Sequence, residues 1–358
     1  MLALSCSSGD SPSDAGPTDF QIQVAQVGAD AANPHGDGSG KVILTASANN
    51  AVRYAFRIGT GDLIDSQTGI LEHQFLDNGT HVYNIAAWAY TQGGEYVTKT
   101  VSVEVYRSDA AFATLVFSDE FDGEGRPDTQ KWHHQIIPPD HGSWHNGELQ
   151  HYVDRPESSI ISEGTLKIKA LKEQYTYIGS TKAYASARMN AKFAFTYGKV
   201  EVRAKLPSPA GTWPAIWTLG ADVNETGNFF GDQYGSVGWP LCGEIDIMEQ
   251  TGWNKNGTIS HFHWGDLITE EYKEEGGELP IVDAAGEFHI YSLEWDSKNL
   301  KAYVDGKLVH NFPNGTNRPF NKEHYLILNI AMGGNLGGTV PDDFTEGTME
   351  IDYVRIYQ

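Results

Sequence analysis

Three acidic side chains lie close together in the second half of the chain. The segment GEIDIME, residues 243–249, contains Glu244, Asp246 and Glu249. Its alternating apolar residues predict a β-strand, in which residues two apart share a face. Glu244 and Asp246 then share one face, whereas Glu249 points to the opposite face of a regular strand. One β-bulge, with Met248 or a neighbour as the extra residue, would return Glu249 to the face of the other two acids.

This acidic strand face is expected to line a groove, because burying carboxylates is costly unless they meet water or a polar ligand. Two carboxylates across a groove suit the hydrolysis of a glycosidic bond: one attacks or stabilises the anomeric carbon and the other protonates the leaving oxygen. A third acid between them can hold the nucleophile and separate the two pKa values. The alternative is a solvent-facing acidic strand. Such strands usually include Lys or Thr, and this segment contains neither.

The composition limits the class of protein. The chain has 358 residues, which is enough for two domains, and its 40% hydrophobic residues and 39 glycines fit a loop-rich globular protein. A net charge of −22 argues against nucleic acid as a partner. The two cysteines, Cys6 and Cys242, exclude a disulfide framework, and no segment is apolar and long enough to span a membrane. Cys242 is expected to be a buried small residue and not a nucleophile.

The N-terminal region predicts a small β-domain behind a linker. Residues 1–17 are rich in Ser, Asp, Gly and Pro, which is typical of a linker. Short alternating segments follow between residues 18 and 107, and their spacing predicts a β-sandwich. VRYAFRIGTGD and NGTHVYNI resemble PKD-type, immunoglobulin-like modules. A spacer is the favoured role for this domain, and a sugar-binding module is the alternative.

The first residues also indicate a location. LALSC resembles the end of a bacterial lipoprotein signal, with Cys6 as the lipidated residue. This resemblance predicts a lipoprotein at the bacterial cell surface or outer membrane, or otherwise a secreted or periplasmic protein. An ordinary N-terminus with a chance cysteine is the alternative.

Residues 108–358 predict a second, larger all-β domain. The region contains segments such as GKVEVRAKL, FHIYSLEWD and YLILNIAM, with hardly a helical period among them. A domain of this size with many strands must be a large sandwich or barrel, and two stacked antiparallel sheets bent around a groove are the simplest version.

Residues 108–358 resemble a known family. GEIDIME is similar to the active-site strand of glycoside hydrolase family 16 in its bulged, laminarinase-like form. The resemblance extends over nearly the whole region in the family's order: LVFSDEFDG, WHNGELQHY, FTYGKVEVRAKLP, GTWPAIW, FHIYSLEW, YVDG, LILNIAMGG and MEIDYVRIY. It implies a jelly-roll sandwich with an open cleft. It also implies a retaining mechanism, with Glu244 as nucleophile, Asp246 as assisting acid and Glu249 as general acid and base.

Aromatic side chains near this strand suit sugar binding, because the C–H faces of sugars stack on indole rings. TWPAIW contains Trp213 and Trp217, and the resemblance implies that both contact the ligand, whereas Trp295 is expected in the core. Asn146 lies in a family segment beside the substrate. Arg188 matches a family arginine near the donor-side sugars, and an internal ion pair is the alternative.

The segment 221–240 is a Gly-rich insert between two family segments, and long loops of this kind tend to be functional. It is expected to wall the cleft and to bring an aromatic side chain to the sugar, with Phe229, Phe230, Tyr234 and Trp239 as candidates. Two further polar residues, Glu148 and Gln150, are either substrate contacts or scaffold.

The sequence also contains candidate metal ligands. His261 and His263, two apart in SHFHWG, could form half of a metal site, but one pair is weak evidence. His263 matches a family histidine near the acid/base, so a substrate or proton-network role is favoured. The resemblance implies a structural calcium ion held mostly by backbone carbonyls, at the positions of Glu120, Gly164 and Asp352. No cofactor is expected for catalysis.

Together these features predict a monomeric endo-hydrolase of β-1,3-glucan (laminarin) or of mixed-linkage β-1,3/1,4-glucan. An endo-hydrolase of a red-algal galactan such as agar is the alternative within the fold. A non-catalytic glucan-binding lectin is the alternative from another class. A lectin would have no reason to keep Glu244, Asp246 and Glu249 together.

Overall fold

The structure, a computed structural model, describes residues 16–30, 33–107 and 112–358 and is nearly all β. The prediction of an all-β fold is confirmed. The chain divides into two compact units, one up to residue 108 and one from residue 109. Cys6 and the first 15 residues of the expected linker lie outside the described residues. Among the residues described, no helix is long and apolar enough to cross a membrane.

The N-terminal unit consists of two small sheets that enclose a common core. One has the strand order β1-β2-β5 and the other β4-β3-β6-β7. Leu44 of the first sheet packs in one cluster with Phe56 and Ile85 of the second. The unit is therefore a small β-sandwich. Its strands are β1 (Thr18–Gln26), β2 (Lys41–Asn49), β3 (Arg53–Ile58), β4 (Ile64–Ser66), β5 (Ile70–Gln74), β6 (Gly79–Tyr90) and β7 (Tyr96–Arg107).

The C-terminal unit contains two larger sheets. Its strands are β8 (Leu115–Asp119), β9 (Trp132–His134), β10 (Gln150–Tyr152), β11 (Ser159–Ser162), β12 (Thr165–Tyr177), β13 (Ser180–Ser186), β14 (Arg188–Phe195), β15 (Gly198–Lys205), β16 (Thr212–Gly220), β17 (Glu244–Glu249), β18 (Gly257–Gly265), β19 (Tyr272–Pro280), β20 (His289–Trp295), β21 (Asn299–Val304), β22 (Lys307–Pro313), β23 (His324–Met332) and β24 (Glu346–Tyr357). Two four-residue helices, α1 (Gly231–Tyr234) and α2 (Gly334–Gly337), lie between strands.

These two sheets pack face to face around one hydrophobic core. The ten-stranded sheet has the order β10-β13-β12-β24-β15-β20-β21-β22, with β11 paired to β12 and β8 to β24. The seven-stranded sheet has the order β19-β18-β17-β16-β23-β14-β9. Val202 and Leu293 of the larger sheet pack in one cluster with Ile245 and Leu328 of the smaller. Trp295, expected in the core, is fully buried there.

Strand β23 shows how the smaller sheet separates core from site. All nine of its residues are buried, although it has two different faces. Leu328 and Ile330 point into the core between the sheets, whereas Asn329 and Ala331 line a cleft on the outer face. Side chains of β23 therefore alternate between core and cleft, although the burial of its residues shows no alternation. The sheet is covered by the core on one side and by cleft walls on the other.

The predicted bulge is present in the acidic strand β17. Asp246 pairs with Trp217 of β16, and Met248 pairs with the preceding Ile216, so that Ile247 is the extra residue. Ile247 and Met248 are both buried in the core cluster. Because two consecutive side chains point inward, the next residue, Glu249, returns to the outer face.

Candidate active site

A cleft of about 480 Å³ lies on the outer face of the seven-stranded sheet. All three acids of β17 line it, together with side chains from β10, β14, β16, β23 and the loops that precede β10 and β17. Its lining residues are His145, Asn146, Glu148, Tyr152, Arg188, Trp213, Ala215, Trp217, Leu219, Val223, Glu225, Trp239, Glu244, Asp246, Glu249, Asn329 and Ala331. The structure therefore brings together the three predicted acids and five of the six predicted substrate contacts. The sixth, His263, meets the acids from β18.

Glu244 has one side in the cleft and the other against Trp239 and His263. The indole N–H of Trp239 donates to its Oε2 at 3.0 Å. Nε2 of His263 lies 3.9 Å from its Oε1. About a fifth of the Glu244 side chain is exposed (19%), compared with 4% for Asp246. Glu244 is thus the more accessible of the two, as an attacking group must be.

Glu249 is held by a tryptophan of the neighbouring strand. The indole N–H of Trp213 donates to Oε1 of Glu249 at 2.8 Å. Burial raises the pKa of this carboxyl, while the hydrogen bond from Trp213 and the nearby His263 lower it. A carboxyl that keeps its proton above the usual range suits a general acid.

Asp246 begins a chain of side chains that leads out of the cleft. Nε2 of His263 lies 3.3 Å from Oδ2 of Asp246. Nδ1 of the same ring lies 2.8 Å from the hydroxyl of Tyr272, which donates to Glu274. Because that hydroxyl has a single proton, its oxygen accepts from Nδ1–H of His263.

All three carboxyls of the strand have raised pKa values. Burial raises the pKa of Glu244 well above its usual range, and the charge of Asp246 adds to this effect. Burial and the charge of Glu249 do the same for the pKa of Asp246. Three carboxylates this close cannot all ionise at neutral pH, because each new charge meets the others in a poorly solvated site. An ionised nucleophile beside a protonated general acid is the state that glycoside hydrolysis requires.

The opposite wall of the cleft is a hydrogen-bonded network of buried polar groups. The indole N–H of Trp217 donates to Oδ1 of Asn329 at 2.7 Å, and Asn329 donates to the hydroxyl of Tyr152 at 3.0 Å. Tyr152 and Gln150 in turn donate to Glu148, at 3.2 and 2.6 Å. Glu148 therefore belongs to both of its expected classes, because it lines the cleft and also supports Trp217 through this network. Gln150 is fully buried and is scaffold.

Arg188 lies in the cleft wall and also forms the internal ion pair. Its Nη2 is 3.0 Å from Oε1 of Glu225, a residue of the 221–240 insert. Its guanidinium lies 4.8 Å from the ring centre of Trp217 and 5.4 Å from that of Trp144. The ion pair thus ties the insert to the scaffold, while the stacked guanidinium fixes the orientation of Trp217.

The insert walls the cleft mainly through residues other than the expected aromatics. Of the four candidates, only Trp239 lines the cleft. Phe230 is buried in a small core of its own beside Tyr325 and the fully buried Cys242, and Phe229 packs against this core. Tyr234 is exposed and lies outside the cleft lining. Trp239 is thus the candidate that lies at the cleft, whereas Phe229 and Phe230 pack in the insert's own core and help to hold its shape.

The sequence reasoning missed several residues of this site. Asn329 could have been predicted from the sequence, since a lone amide in the apolar segment YLILNIAM requires a buried hydrogen-bond partner. Glu225, Tyr272 and Glu274 left no comparable signal. They lie in polar segments, where an acid or a tyrosine is unremarkable in the sequence.

The three positions expected for calcium lie in or beside neighbouring strands of the ten-stranded sheet, and none of them lines the cleft. Glu120 follows β8 and Gly164 precedes β12, and both of these strands pair with β24, which contains Asp352. Oδ2 of Asp352 lies 2.7 Å from Nη1 of Arg203. The Glu120 carboxylate accepts two hydrogen bonds from Arg355, at 3.0 and 2.8 Å. The carboxylates of Glu120 and Asp352 are therefore paired with arginines, and mainly backbone carbonyls remain to bind a cation.

Comparison with known proteins agrees with this geometry. The family model for glycosyl hydrolases family 16 matches residues 150–355, which include every strand from β10 to β23. The chain belongs to glycosyl hydrolase family 16. The match contains the three acids of β17, the tryptophans of β16 and the histidines of β18. The protein is therefore a glycoside hydrolase with the jelly-roll sandwich of its family.

Similar family 16 proteins include a beta-glucanase from Rhodothermus marinus. The two sequences are 38% identical over 70% of this chain and 88% of the relative. A glucan endo-1,3-beta-glucosidase A1 from Niallia circulans is 34% identical over 70% of this chain, which spans only 39% of that longer protein. A LamA variant from Zobellia galactanivorans, solved in complex with laminaritriose and laminaritetraose, is 64% identical over 69% of this chain and 100% of its own, with a TM-score of 0.68.

Proposed function

We propose that the protein cleaves internal β-glycosidic bonds in β-1,3-glucan, in mixed-linkage β-1,3/1,4-glucan, or in both, with retention of anomeric configuration. The observation that carries this proposal is the bulge in β17, which brings Glu244, Asp246 and Glu249 to one face of the cleft. The glucanases and laminarinases among the family 16 relatives support this substrate class.

In the first step Glu244 attacks the anomeric carbon and forms a covalent glycosyl–enzyme bond. Glu249 donates its proton to the glycosidic oxygen, which leaves with the bonding electron pair as a sugar hydroxyl. In the second step Glu249, now ionised, takes a proton from water, whose oxygen displaces Glu244 and restores the starting protonation states. Asp246 is the assisting acid beside Glu244, and its charge raises the pKa of Glu244.

The cleft walls suit the binding of a polysaccharide. Trp213, Trp217 and Trp239 offer indole rings for sugar C–H faces, and their N–H groups are already bonded to Glu249, Asn329 and Glu244. Each ring is thereby held in place before substrate arrives. Asn146 and Arg188 add polar contacts to sugar hydroxyls.

The experiment is a panel of laminarin, lichenan, barley glucan, curdlan and agarose, with product sizes followed over time. Oligosaccharides of intermediate size at early times are expected from laminarin or lichenan, with the β-anomer formed first in proton NMR. Release from agarose alone would mean an algal galactanase. Binding without release from any polymer would mean a lectin.

We further propose that the protein is a monomer that acts at the bacterial cell surface. A lipid on Cys6 would hold it at the outer membrane, and without that lipid it would be secreted or periplasmic. Mass spectrometry of a tryptic N-terminal peptide from the native host tests the lipid, and light scattering tests the oligomeric state. An unlipidated Cys6 on a cytosolic protein would refute the location.

The N-terminal sandwich is proposed to be a PKD-type, immunoglobulin-like spacer. Its two-sheet core supports a sandwich of this kind. Residues 109–358, which form a compact unit with the whole cleft, are then expected to match the full chain on soluble laminarin and on insoluble curdlan. A loss on curdlan alone would identify a sugar-binding module instead.

A structural calcium ion is proposed at the backbone carbonyls of Glu120 and Gly164 and the carboxylate of Asp352. It would link β8 and β12, which both pair with β24, and take no part in the chemistry. Because Arg203 competes for Asp352, affinity is expected to be low, about millimolar. Calcium should raise the Tm of the wild type and not of Asp352→Asn, and an equal response of both would refute the site.

A further inference from the structure

Three side chains beside the cleft are placed as ligands of a transition metal. We propose that His261, His263 and Glu274 bind a divalent cation of the zinc class, and that this cation inhibits hydrolysis. The two histidines lie on β18 and the glutamate on β19, the edge strand of the seven-stranded sheet. One ligand atom of each residue lies within 4.8 Å of those of the other two.

The distances are close to those of a tetrahedral site. Nδ1 of His263 lies 3.4 Å from Oε2 of Glu274, and Nε2 of His261 lies 3.9 Å from the same oxygen. Zinc bonds to nitrogen and oxygen are about 2.0–2.2 Å long, so two donors on one tetrahedral ion are about 3.3–3.6 Å apart. Half of the Glu274 side chain is exposed (51%), and a small rotation of it closes the difference. Water can take the fourth position.

The register of the two strands brings the ligands together. Glu274 lies directly opposite His263, and Gly276 lies opposite His261. A Cβ atom at Gly276 would come within 2.8 Å of the His261 ring. Because no side chain lies there, the His261 ring can lean across β19 towards Glu274. The two imidazole centres are 4.6 Å apart, on the same face of the strand.

The hydroxyl of Tyr272 occupies the position between two of these ligands. It lies 2.8 Å from Nδ1 of His263 and donates to Glu274. A cation would replace these two hydrogen bonds, and Tyr272 is exposed enough to turn towards solvent. The other ring nitrogen of His263 faces Asp246 at 3.3 Å. Metal-bound histidines usually hold a carboxylate in this way, which orients the ring towards the metal.

Displacing Tyr272 would affect the nucleophile Glu244 through two contacts, that of Tyr272 with Trp239 and that of Trp239 with Glu244. The Tyr272 ring lies parallel to that of His263 and 5.4 Å from the ring of Trp239. Trp239 donates the hydrogen bond to Glu244. A metal at this site therefore removes the packing that holds a donor on the nucleophile. The inhibition rests on the proposed function, whereas metal binding does not.

The experiment uses the full chain in chelator-free buffer, with zinc chloride titrated by calorimetry and, separately, during laminarin hydrolysis. Zinc is expected to bind, and to inhibit until a chelator is added. His261→Gln and Glu274→Gln should each weaken binding at least about tenfold and raise the half-inhibiting zinc concentration by a similar factor. Glu275→Gln is the matched control, because Glu275 pairs with Phe262 and its carboxylate lies near His310 instead. Glu275→Gln should behave as wild type.

Zinc affinity unchanged in both His261→Gln and Glu274→Gln would overturn the site, and would point to the second group of possible ligands, formed by Glu244, Asp246 and His263. Binding that depends on His261 without any loss of activity would overturn the inhibition. If the zinc-free enzyme releases sugar from no glucan, the proposed function fails, and the calorimetric comparison of the same variants still decides the metal site.

Discussion

Trp213 donates its indole N–H to Oε1 of Glu249 at 2.8 Å, so that the proton-transferring carboxyl is held by the neighbouring strand of the same sheet. The expectation for Trp213 was a sugar contact alone. The structure adds a second role, in which the same ring that lines the cleft also tunes the acid.

Trp213→Phe is expected to keep the apolar surface of the ring and remove the donor. The hydrogen bond lowers the pKa of Glu249, so its loss raises that pKa further. Because Glu249 donates a proton first, the alkaline limb of kcat against pH should move to higher pH, while kcat at the optimum falls about tenfold, as one charge-assisted hydrogen bond is lost. A limb that moves to lower pH would contradict this role.

Glu244→Gln and Glu249→Gln are each expected to lower kcat by several orders of magnitude on laminarin, because each removes a chemical role. Both variants should remain folded, as measured by circular dichroism. The two variants should differ on an aryl glycoside with a good leaving group. Glu249→Gln should recover the rate of the first step, since departure of this group needs no acid. Glu244→Gln should not recover it, because the nucleophile is missing. Equal recovery of both would overturn the assignment.

The Glu244→Gln variant is also expected to be more stable than the wild type at high pH. An unfolded glutamate ionises at about pH 4.3, whereas folded Glu244 keeps its proton to higher pH because burial raises its pKa. The wild-type native state therefore loses stability as the pH rises from about 4.3 to the raised pKa, and the amide of the variant has nothing to ionise. Thermal unfolding should show a higher Tm for Glu244→Gln at pH 8 and little difference at pH 4. An advantage confined to pH 4 would contradict the direction of the shift.

Asp246→Asn is expected to cost less activity than either glutamate change and to move the acid limb of the pH profile. The charge of Asp246 raises the pKa of Glu244, so its removal lowers that pKa. Glu244 must be ionised to attack, and the acid limb of kcat/KM should therefore move to lower pH. An unmoved limb would mean that Asp246 acts on Glu244 through position alone.

One residue inserted after Met248 is expected to abolish hydrolysis, because it would turn Glu249 into the core unless the strand bulges again. Met248→Ala is the control. Met248 is fully buried, so its truncation should cost about 2–5 kcal/mol of unfolding free energy while Glu249 stays in phase and activity is retained. Deletion of Met248 leaves GEIDIE, in which the three acids alternate evenly. An active insertion variant with unchanged kcat would refute the register.

Sequence reasoning predicted the acids and the bulge for a local reason. Strand parity is set by adjacent residues, so three acids at spacings of two and three require one extra residue if they share a face. The pairing partners show that Ile247 is the extra residue, with Met248 directed into the core beside it. The all-β sandwich could be predicted in the same way, from short alternating segments separated by turn residues.

The residues around the acids were determined only by the tertiary structure. Glu274 reaches His263 because β18 pairs with β19 in one register, and Asn329 reaches Trp217 because β23 lies beside β16. Pairings across a sheet depend on packing between residues far apart in the chain, and a polar residue in a loop carries no local sign of its partner. The sequence by itself therefore determined which side chains could do chemistry. The pairing of strands in the folded sheet decided which residues contact those side chains and shift their pKa values.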